Sequence, residues 1–372
     1  MKLHFLDVLL TVLALVYVAR LLYFLVGFKR EMRRWTSNHY VPLISIIIPA
    51  RNEEQNLERC LASIMRVDYP PDRLEVIVVN DRSSDRTGEV LDRFASQYSN
   101  VLPLHRTDAD AVDNLRGKAG ALQFGIDRSH GEIILMTDAD CTVSPTWPRA
   151  ITAQFANDHV GLVSGLTSVE GSTFLERTQD VEWTYMQAMA CGGVGNHHPL
   201  GCFGNNLAVR RDVFVGLGGY RGIDFSVTED MALQHAVFDA GHEIRFFIHP
   251  SISVVTRPAD SLMEYIRQRH RWVRGGIGLG ARGAIFVLTS LALWSGLVMT
   301  AIAGLWWWFA FFIALRVIAD TVLISGAAIS VGRRRVIPVI IPALLLLSPT
   351  EIFLPILAAM PTVKWKGQIF KR

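Results

Sequence analysis

A chain of 372 residues suffices for one domain of about 200 to 250 residues plus further elements. Its net charge of +3 gives no electrostatic footprint for nucleic acid. Its four cysteines, Cys60, Cys141, Cys191 and Cys202, form no CxxC pair, which argues against a zinc site or disulfide framework and fits a reducing compartment.

Half of the residues are hydrophobic, and the excess sits at the two ends of the chain. Residues 6–28 are almost continuously apolar, broken by Arg20. That is enough for a helix to cross a bilayer, which takes about 20 residues. The stretch is long for a signal peptide and no small-residue cleavage site follows it, so it reads as an anchor. Lys29, Arg30, Arg33 and Arg34 come next. Positive loops stay inside, so the domain that follows is expected in the cytoplasm.

From residue 41 to about 276 the pattern alternates strand and helix. Short apolar runs read as strands at 43–49 (LISIIIP), 75–80 (EVIVVN), 101–104 and 132–137 (EIILMT). Helices are expected at 53–64, at 85–98 with Ser84 as N-cap, and at 118–129. Near-continuous apolar strands separated by helices predict a parallel, doubly wound sheet. Ligands of such sheets bind beyond the carboxyl ends of the strands.

Chemistry-bearing residues fall at that edge. Asn80-Asp81 follows EVIVVN, and Asp138-Ala139-Asp140 follows EIILMT. Two carboxylates one residue apart on a turn suit a divalent cation, and Mg2+ binds through one or two carboxylates plus substrate phosphates. A lone DxD recurs by chance in loops; its place after a buried strand gives it weight. Thr228-Glu229-Asp230 opens a helix, with Thr228 as N-cap and Asp230 in the first turn, where the helix dipole favours an ionised carboxylate. Taken alone, this is only a capped helix start. Gln268, Arg271 and Trp272 stand at i, i+3 and i+4 and share one helical face, on which Arg271 is able to grip phosphate oxygens bidentately. The surrounding segment, 261–274, has the pattern of an amphipathic helix on a membrane surface.

The apolar block at 284–331 is long enough for two spans with a turn near 304–306. Arg316 and Asp320, one helical turn apart, are able to pair there or to line a substrate path. Arg333, Arg334 and Arg335 form another basic loop. Residues 336–360 contain Pro338, Pro342, Pro349 and Pro355 and a polar break at 348–351. The basic tail that follows (Lys364, Lys366, Lys371, Arg372) favours a re-entrant hairpin over a full span.

Taken together, the motifs resemble the family 2 glycosyltransferases, inverting enzymes with a GT-A fold. SIIIPARNEE at 45–54, VNDRSSDRT at 79–87, GKAGAL at 117–122, then DAD, TED and QRHRW follow in that order across roughly 41–276. The resemblance implies an α/β, GT-A doubly wound nucleotide-sugar-binding domain plus transmembrane helices at both ends. The corresponding division is an anchor and basic loop at 1–40, a cytoplasmic catalytic domain at 41–282 and a membrane region at 283–372. It implies that Pro49, Arg51, Glu53, Asp81 and Lys118 line the nucleotide pocket. Asp138 and Asp140 face the diphosphate and its cation (Mg2+ or Mn2+), with Asp140 the main ligand. Asp230 is the implied general base, and Gln268, Arg271 and Trp272 form the QxxRW motif of cellulose, hyaluronan and chitin synthases and ceramide glucosyltransferases. The first acidic motif is Asn80-Asp81 in place of the Asp-Asp pair common in the family, which leaves the contact to the base open in detail.

The donor expected from the resemblance is UDP-glucose or UDP-N-acetylglucosamine. A site just before a span favours a lipid acceptor at the plasma (inner) membrane; a processive polysaccharide synthase and a non-catalytic scaffold are the competing readings. Within 201–211, Asn205 and Asn206 suit either hydrogen bonds to an acceptor or a turn. His197-His198 is a less favoured metal site.

Overall fold

The computed structural model describes residues 2–110, 115–365 and 368–371; Lys366 and Arg372 of the basic tail lie outside them. The chain opens with a long apolar helix, α1 (Lys2–Met32). The α/β region then runs β1 (Ile44–Ala50), α2 (Leu57–Ile64), β2 (Leu74–Asp81), α3 (Thr87–Gln97), β3 (Val101–Arg106), α4 (Gly117–Ile126), β4 (Ile133–Met136), β5 (Thr142–Val143), α5 (Trp147–Thr152), β6 (Val160–Gly165) and β7 (Thr167–Val169). It continues through α6 (Phe174–Gly195), β8 (Leu207–Arg210), α7 (Arg211–Gly216), α8 (Glu229–Asp239), β9 (Glu243–Phe247), β10 (Val254–Thr256) and α9 (Leu262–Gly276). The chain ends in α10 (Ala284–Ile302), α11 (Trp306–Ser330), α12 (Ile340–Ala359) and the strand pair β11 (Thr362–Trp365) and β12 (Gln368–Lys371).

The central sheet has the order β3-β2-β1-β4-β8-β6-β9. β3, β2, β1 and β4 run parallel, as the apolar runs predict. The sheet as a whole is mixed, because β8 enters antiparallel to both β4 and β6. Apolar side chains fill both faces, which is why the strands read as unbroken apolar runs. Ile46, Ile48, Val76 and Val78 pack toward α2 and α3, and Ile47, Ile77 and Val79 pack toward α4 and α6.

Some boundaries differ from the sequence reading, and the reason is local. The helix expected from 53 begins at Leu57, because the amides of Glu53 and Glu54 bond to Thr87 Oγ1 (2.7 Å) and Asp85 Oδ2 (3.1 Å) across the neighbouring loop. The next helix begins at Thr87. Ser84 does not cap it; its amide donates to Asn52 Oδ1 (2.9 Å). Thr228 stands at the N-cap of α8 but its hydroxyl bonds Ser226, so the helix start has no side-chain cap.

Among the described residues, three helical stretches are long and apolar enough to cross a membrane: Phe5–Met32, Leu262–Ile302 and Trp306–Ser330. They give the chain the make-up of a membrane protein. The expected turn between α10 and α11 is present, with Gly304 in the left-handed region at φ +67°. Arg316 lies 3.7 Å from Asp320, but its shorter bonds, 3.0 and 2.5 Å, go to Glu351 of α12. The last apolar block bends by 57° between Arg334–Ser348 and Phe353–Ala359, the geometry of a broken span or a re-entrant segment.

α6 joins the two parts. It begins with a capping box in which Thr173 and Glu176 exchange bonds, and it packs along α1 at backbone distance. A Cβ on Gly27 falls 1.8 Å from Gly192 O, and one on Gly195 falls 1.9 Å from Gly27 O. Gly195→Leu should therefore force the helices apart and cost about 1–3 kcal/mol. Gly326→Leu, where an added Cβ meets nothing within 4 Å, serves as control. Thermal unfolding of the two variants in one detergent should show a lower Tm for the first alone.

Candidate active site

The carboxyl ends of β1, β2 and β4 open on a cavity of about 590 Å3, within the range usual for ligand pockets. The residues that the family resemblance assigned to the site line it together: Pro49, Arg51, Glu53, Asp81, Lys118, Asp138, Asp140, Asp230, Gln268, Arg271 and Trp272.

Two βα loops form one end of the cavity. They are cross-braced, since Asn52 accepts from Ser84 while its own amide donates to Ser83 Oγ (3.0 Å). Asn52 and Arg82 hold left-handed backbone at φ 54° and 56°, an uncommon state for residues with a Cβ. Asp81, buried at the end of β2, is ringed by guanidinium groups. Arg82 Nε donates to it at 2.9 Å, Arg106 Nη1 at 3.4 Å, and Arg51 stands 3.9 Å away.

The DAD turn and the start of α8 face each other across Lys118, the second residue of α4. Lys118 Nζ lies 2.5 Å from Asp138 Oδ1 and 3.3 Å from Glu229 Oε1. Burial pulls the lysine pKa down, but the carboxylates of Asp138 and Glu229 more than reverse this, so the ammonium is held above its ordinary value. Asp230 accepts from the amides of Gly204 (2.7 Å) and Met231 (2.9 Å). Burial, then the adjacent Glu229 carboxylate, push its pKa up to about 6 against the opposing pull of Lys118.

Asp138 and Asp140 suit a divalent cation chemically: two hard oxygen donors on one turn, facing a cavity with room for phosphates. Asp138 already holds Lys118, which leaves the larger share to Asp140. Among the described residues no group of three or more His, Cys, Asp or Glu forms a fuller cage. His197 and His198 sit instead against α1, beside Arg34 (3.4 Å) and Tyr23 (3.0 Å).

α9 carries the QxxRW residues and starts with Ser261 capping Glu264. Its buried face is held by Arg269, whose guanidinium pairs with Glu182 of α6 and stacks on Trp272 at 4.2 Å from the ring centroid. Glu182 also accepts from Tyr265 Oη (2.8 Å). Trp272 meets Trp183 edge-on, with centroids 5.3 Å apart. Leu262, Met263 and Ile266 stay exposed, the apolar face expected of a surface helix.

Sequence reasoning missed Glu182, Trp183, Arg106 and the Gly204 amide, because none stands in a motif. The pairing of Glu229 with Lys118 was legible only as two motifs without a contact. One expectation is corrected: Asn206 is fully buried and spends its amide on Trp147 Nε1 (2.9 Å), Leu166 O and Ile252 O (2.8 Å each), so it braces the sheet and does not meet an acceptor. Asn205 lines the cavity and accepts from Thr167 Oγ1 (3.0 Å).

This fold and cleft are of the GT-A class. The model of "Glycosyl transferase family 2" matches residues 45–230, half of the chain, and the protein belongs to that family of glycosyltransferases. The chain is 34% identical over 253 residues to the probable glycosyltransferase YdaM of Bacillus subtilis, covering 67% of this chain and 59% of that protein. It is 28% identical over 243 residues to the beta-monoglucosyldiacylglycerol synthase of Trichormus variabilis, covering 63% and 49%. It thus spans about half to three fifths of the length of these relatives. Among solved structures, the mannosyltransferase PcManGT from Pyrobaculum calidifontis in complex with GDP-Man and Mn2+ superposes with a TM-score of 0.57 at 20% identity, over 87% of this chain and 98% of that one, a likeness of fold.

Two outcomes follow from the geometry. If Asp230 must be ionised to act, kcat should hold above its pKa of about 6 and fall roughly tenfold per unit below it; a pH–rate profile flat down to pH 5 would contradict this. Glu182→Gln should leave Arg269 buried without its counter-charge and cost about 3–5 kcal/mol. Thermal unfolding should show the double variant Glu182→Gln/Arg269→Met recovering more than half of that loss.

Proposed function

We propose that the protein transfers a sugar from UDP-glucose or UDP-N-acetylglucosamine to a hydroxyl of a membrane lipid, with inversion, and that residues 41–282 form the catalytic unit on the cytoplasmic side of the plasma (inner) membrane. The observation that carries the lipid acceptor is the reach of one cavity: Asp230 lines it, and so does Phe286 in the first turn of α10, within the apolar stretch Leu262–Ile302. The similarity to a beta-monoglucosyldiacylglycerol synthase supports the same class of acceptor.

The chemistry assigned to the residues is a single displacement. Asp230 takes the proton of the acceptor hydroxyl, which is a poor nucleophile until deprotonated. The new C–O bond forms at the anomeric carbon as the bond to the nucleoside diphosphate breaks, so an α-linked donor gives a β-linked product. Arg271 meets the charge that grows on the departing diphosphate. A divalent cation held by Asp140 and Asp138 would supply Lewis-acid stabilisation of that same charge. Asp81 is assigned to the base of the nucleotide, oriented by Arg51, Arg82 and Arg106. Trp272 and Gln268 are assigned to the acceptor side, where the Gln268 side-chain oxygen is buried with no hydrogen-bond partner among the described residues.

Lipid extracts of cells expressing the chain, compared by mass spectrometry with cells expressing Asp230→Asn, test the reading. A lipid bearing one hexose or N-acetylhexosamine should appear with the unaltered chain and fall by about 10²–10⁴-fold in the variant. Donor binding by the purified variant should stay within a few-fold. A variant-sensitive polymer without a new glycolipid would replace the reading with that of a polysaccharide synthase.

A further inference from the structure

Beyond Asp230 the cavity extends into an apolar wing that neither the nucleotide nor the sugar requires. Its walls are Trp183, Met186 and Met189 of α6, Phe203, Leu279 and Phe286. A sugar or phosphate there would lose its hydrogen bonds to water without gaining others. Methionine and tryptophan surfaces instead adapt to an alkyl chain.

The wing ends among the helices of membrane length. Phe286 stacks on Phe24 of α1, with ring centroids 5.8 Å apart and planes 14° from parallel. On the side between α9 and α10 its wall is Gly276, followed by Leu279. A Cβ added to Gly276 meets nothing within 4 Å, and its backbone is ordinary right-handed helix at φ −60°, ψ −23°. Backbone strain therefore does not demand glycine there, and a side chain would grow into open space. Four residues after Gly276, Gly280 (φ 52°, ψ −131°) breaks the helix before α10.

We propose that this wing seats the hydrocarbon chain of the lipid acceptor, which enters from the bilayer beside Gly276 and Leu279 and brings its hydroxyl to Asp230. The inference rests on the lipid-acceptor reading above and adds to it that the enzyme measures chain length. Referred to the acceptor dissolved in water, each methylene seated raises kcat/KM by roughly fourfold until the wing is full, after which the dependence flattens.

The test uses the full chain in lipid nanodiscs with a series of 1-O-alkylglycerols of increasing length, UDP-glucose and UDP-N-acetylglucosamine being offered in turn. The unaltered protein should show the rise and plateau. Gly276→Leu should lower the ratio of kcat/KM for long over short chains at least tenfold. Gly278→Leu, which faces a separate cavity lined by Phe225 and His235, should leave that ratio unchanged. Met186→Trp narrows the wing from the opposite wall and repeats the measurement should Gly276→Leu not be recovered folded. Transfer to every alkylglycerol with no dependence on length, or a ratio unmoved in Gly276→Leu and Met186→Trp, overturns the wing while leaving the lipid acceptor standing. No transfer to any alkylglycerol from either donor overturns both.

Discussion

Asp138, Asp140, Glu229 and Asp230 bring their carboxylates to one cavity, and Lys118 is the buried cation that lets them share it. Like charges at such range raise one another's pKa until a proton is taken up. Lys118 offsets that by touching Asp138 on one side and Glu229 on the other. The balance leaves Asp230 raised only to about 6, still ionised at neutral pH and more basic than a solvated aspartate. The same geometry favours glycine at 204: a Cβ there would lie 3.1 Å from Lys118 Nζ and 3.2 Å from Asp230 Oδ2, crowding the carboxylate to which the residue's own amide donates.

The second constraint is the position of α9 against α6. Glu182 and Arg269 are both largely buried, so their pairing fixes the rotation of α9 about its axis more than it adds to stability. That rotation turns Gln268, Arg271 and Trp272 to the cavity and leaves Leu262, Met263 and Ile266 outward. Two further bonds, His270 to Met360 O (3.1 Å) and Arg274 to Ala358 O (2.9 Å), tie α9 to the end of α12. The QxxRW face is thus set by helices on both sides of it, one from the α/β region and one from the last apolar block.

Much of this was legible in the sequence because it is local. Strands buried on both faces leave unbroken apolar runs, and the residue just past such a run falls at the sheet edge where ligands bind; this placed Asp81, Asp138 and Asp140. Helical spacing put Gln268, Arg271 and Trp272 on one face. What was not legible depends on contacts between distant segments. Arg106 reaches Asp81 only because β3 lies beside β2, and nothing local in the sequence marks Glu182 as the partner of Arg269. The direction of β8 follows from the course of the chain through α6, which no apolar period encodes. The missed cap of α3 has a tertiary cause. Ser84, Asp85 and Thr87 had local signals for a helix start, but the amides of the neighbouring loop competed for Asp85 and Thr87, and Ser84 bonds Asn52 of that loop.

The polar residues inside the apolar helices belong to the same argument. Arg20 of α1 donates to Tyr185 Oη at 2.6 Å, and Asp320 of α11 accepts from Tyr17 and Tyr185 at 3.1 Å each. Arg316 is matched by Glu351. Two cations and two carboxylates among apolar helices form a cluster of no net charge, which lowers the cost of placing each of them there. Two members of this cluster tie it to α6: Tyr185 belongs to that helix, and Arg20 also donates to Met189 Sδ at 3.4 Å. Trp183, Met186 and Met189, the neighbours of Tyr185 along that helix, line the cavity that holds Asp230. A shift of α1 against α11 would therefore be felt directly at the cavity wall, and the charge-neutral cluster is what resists it.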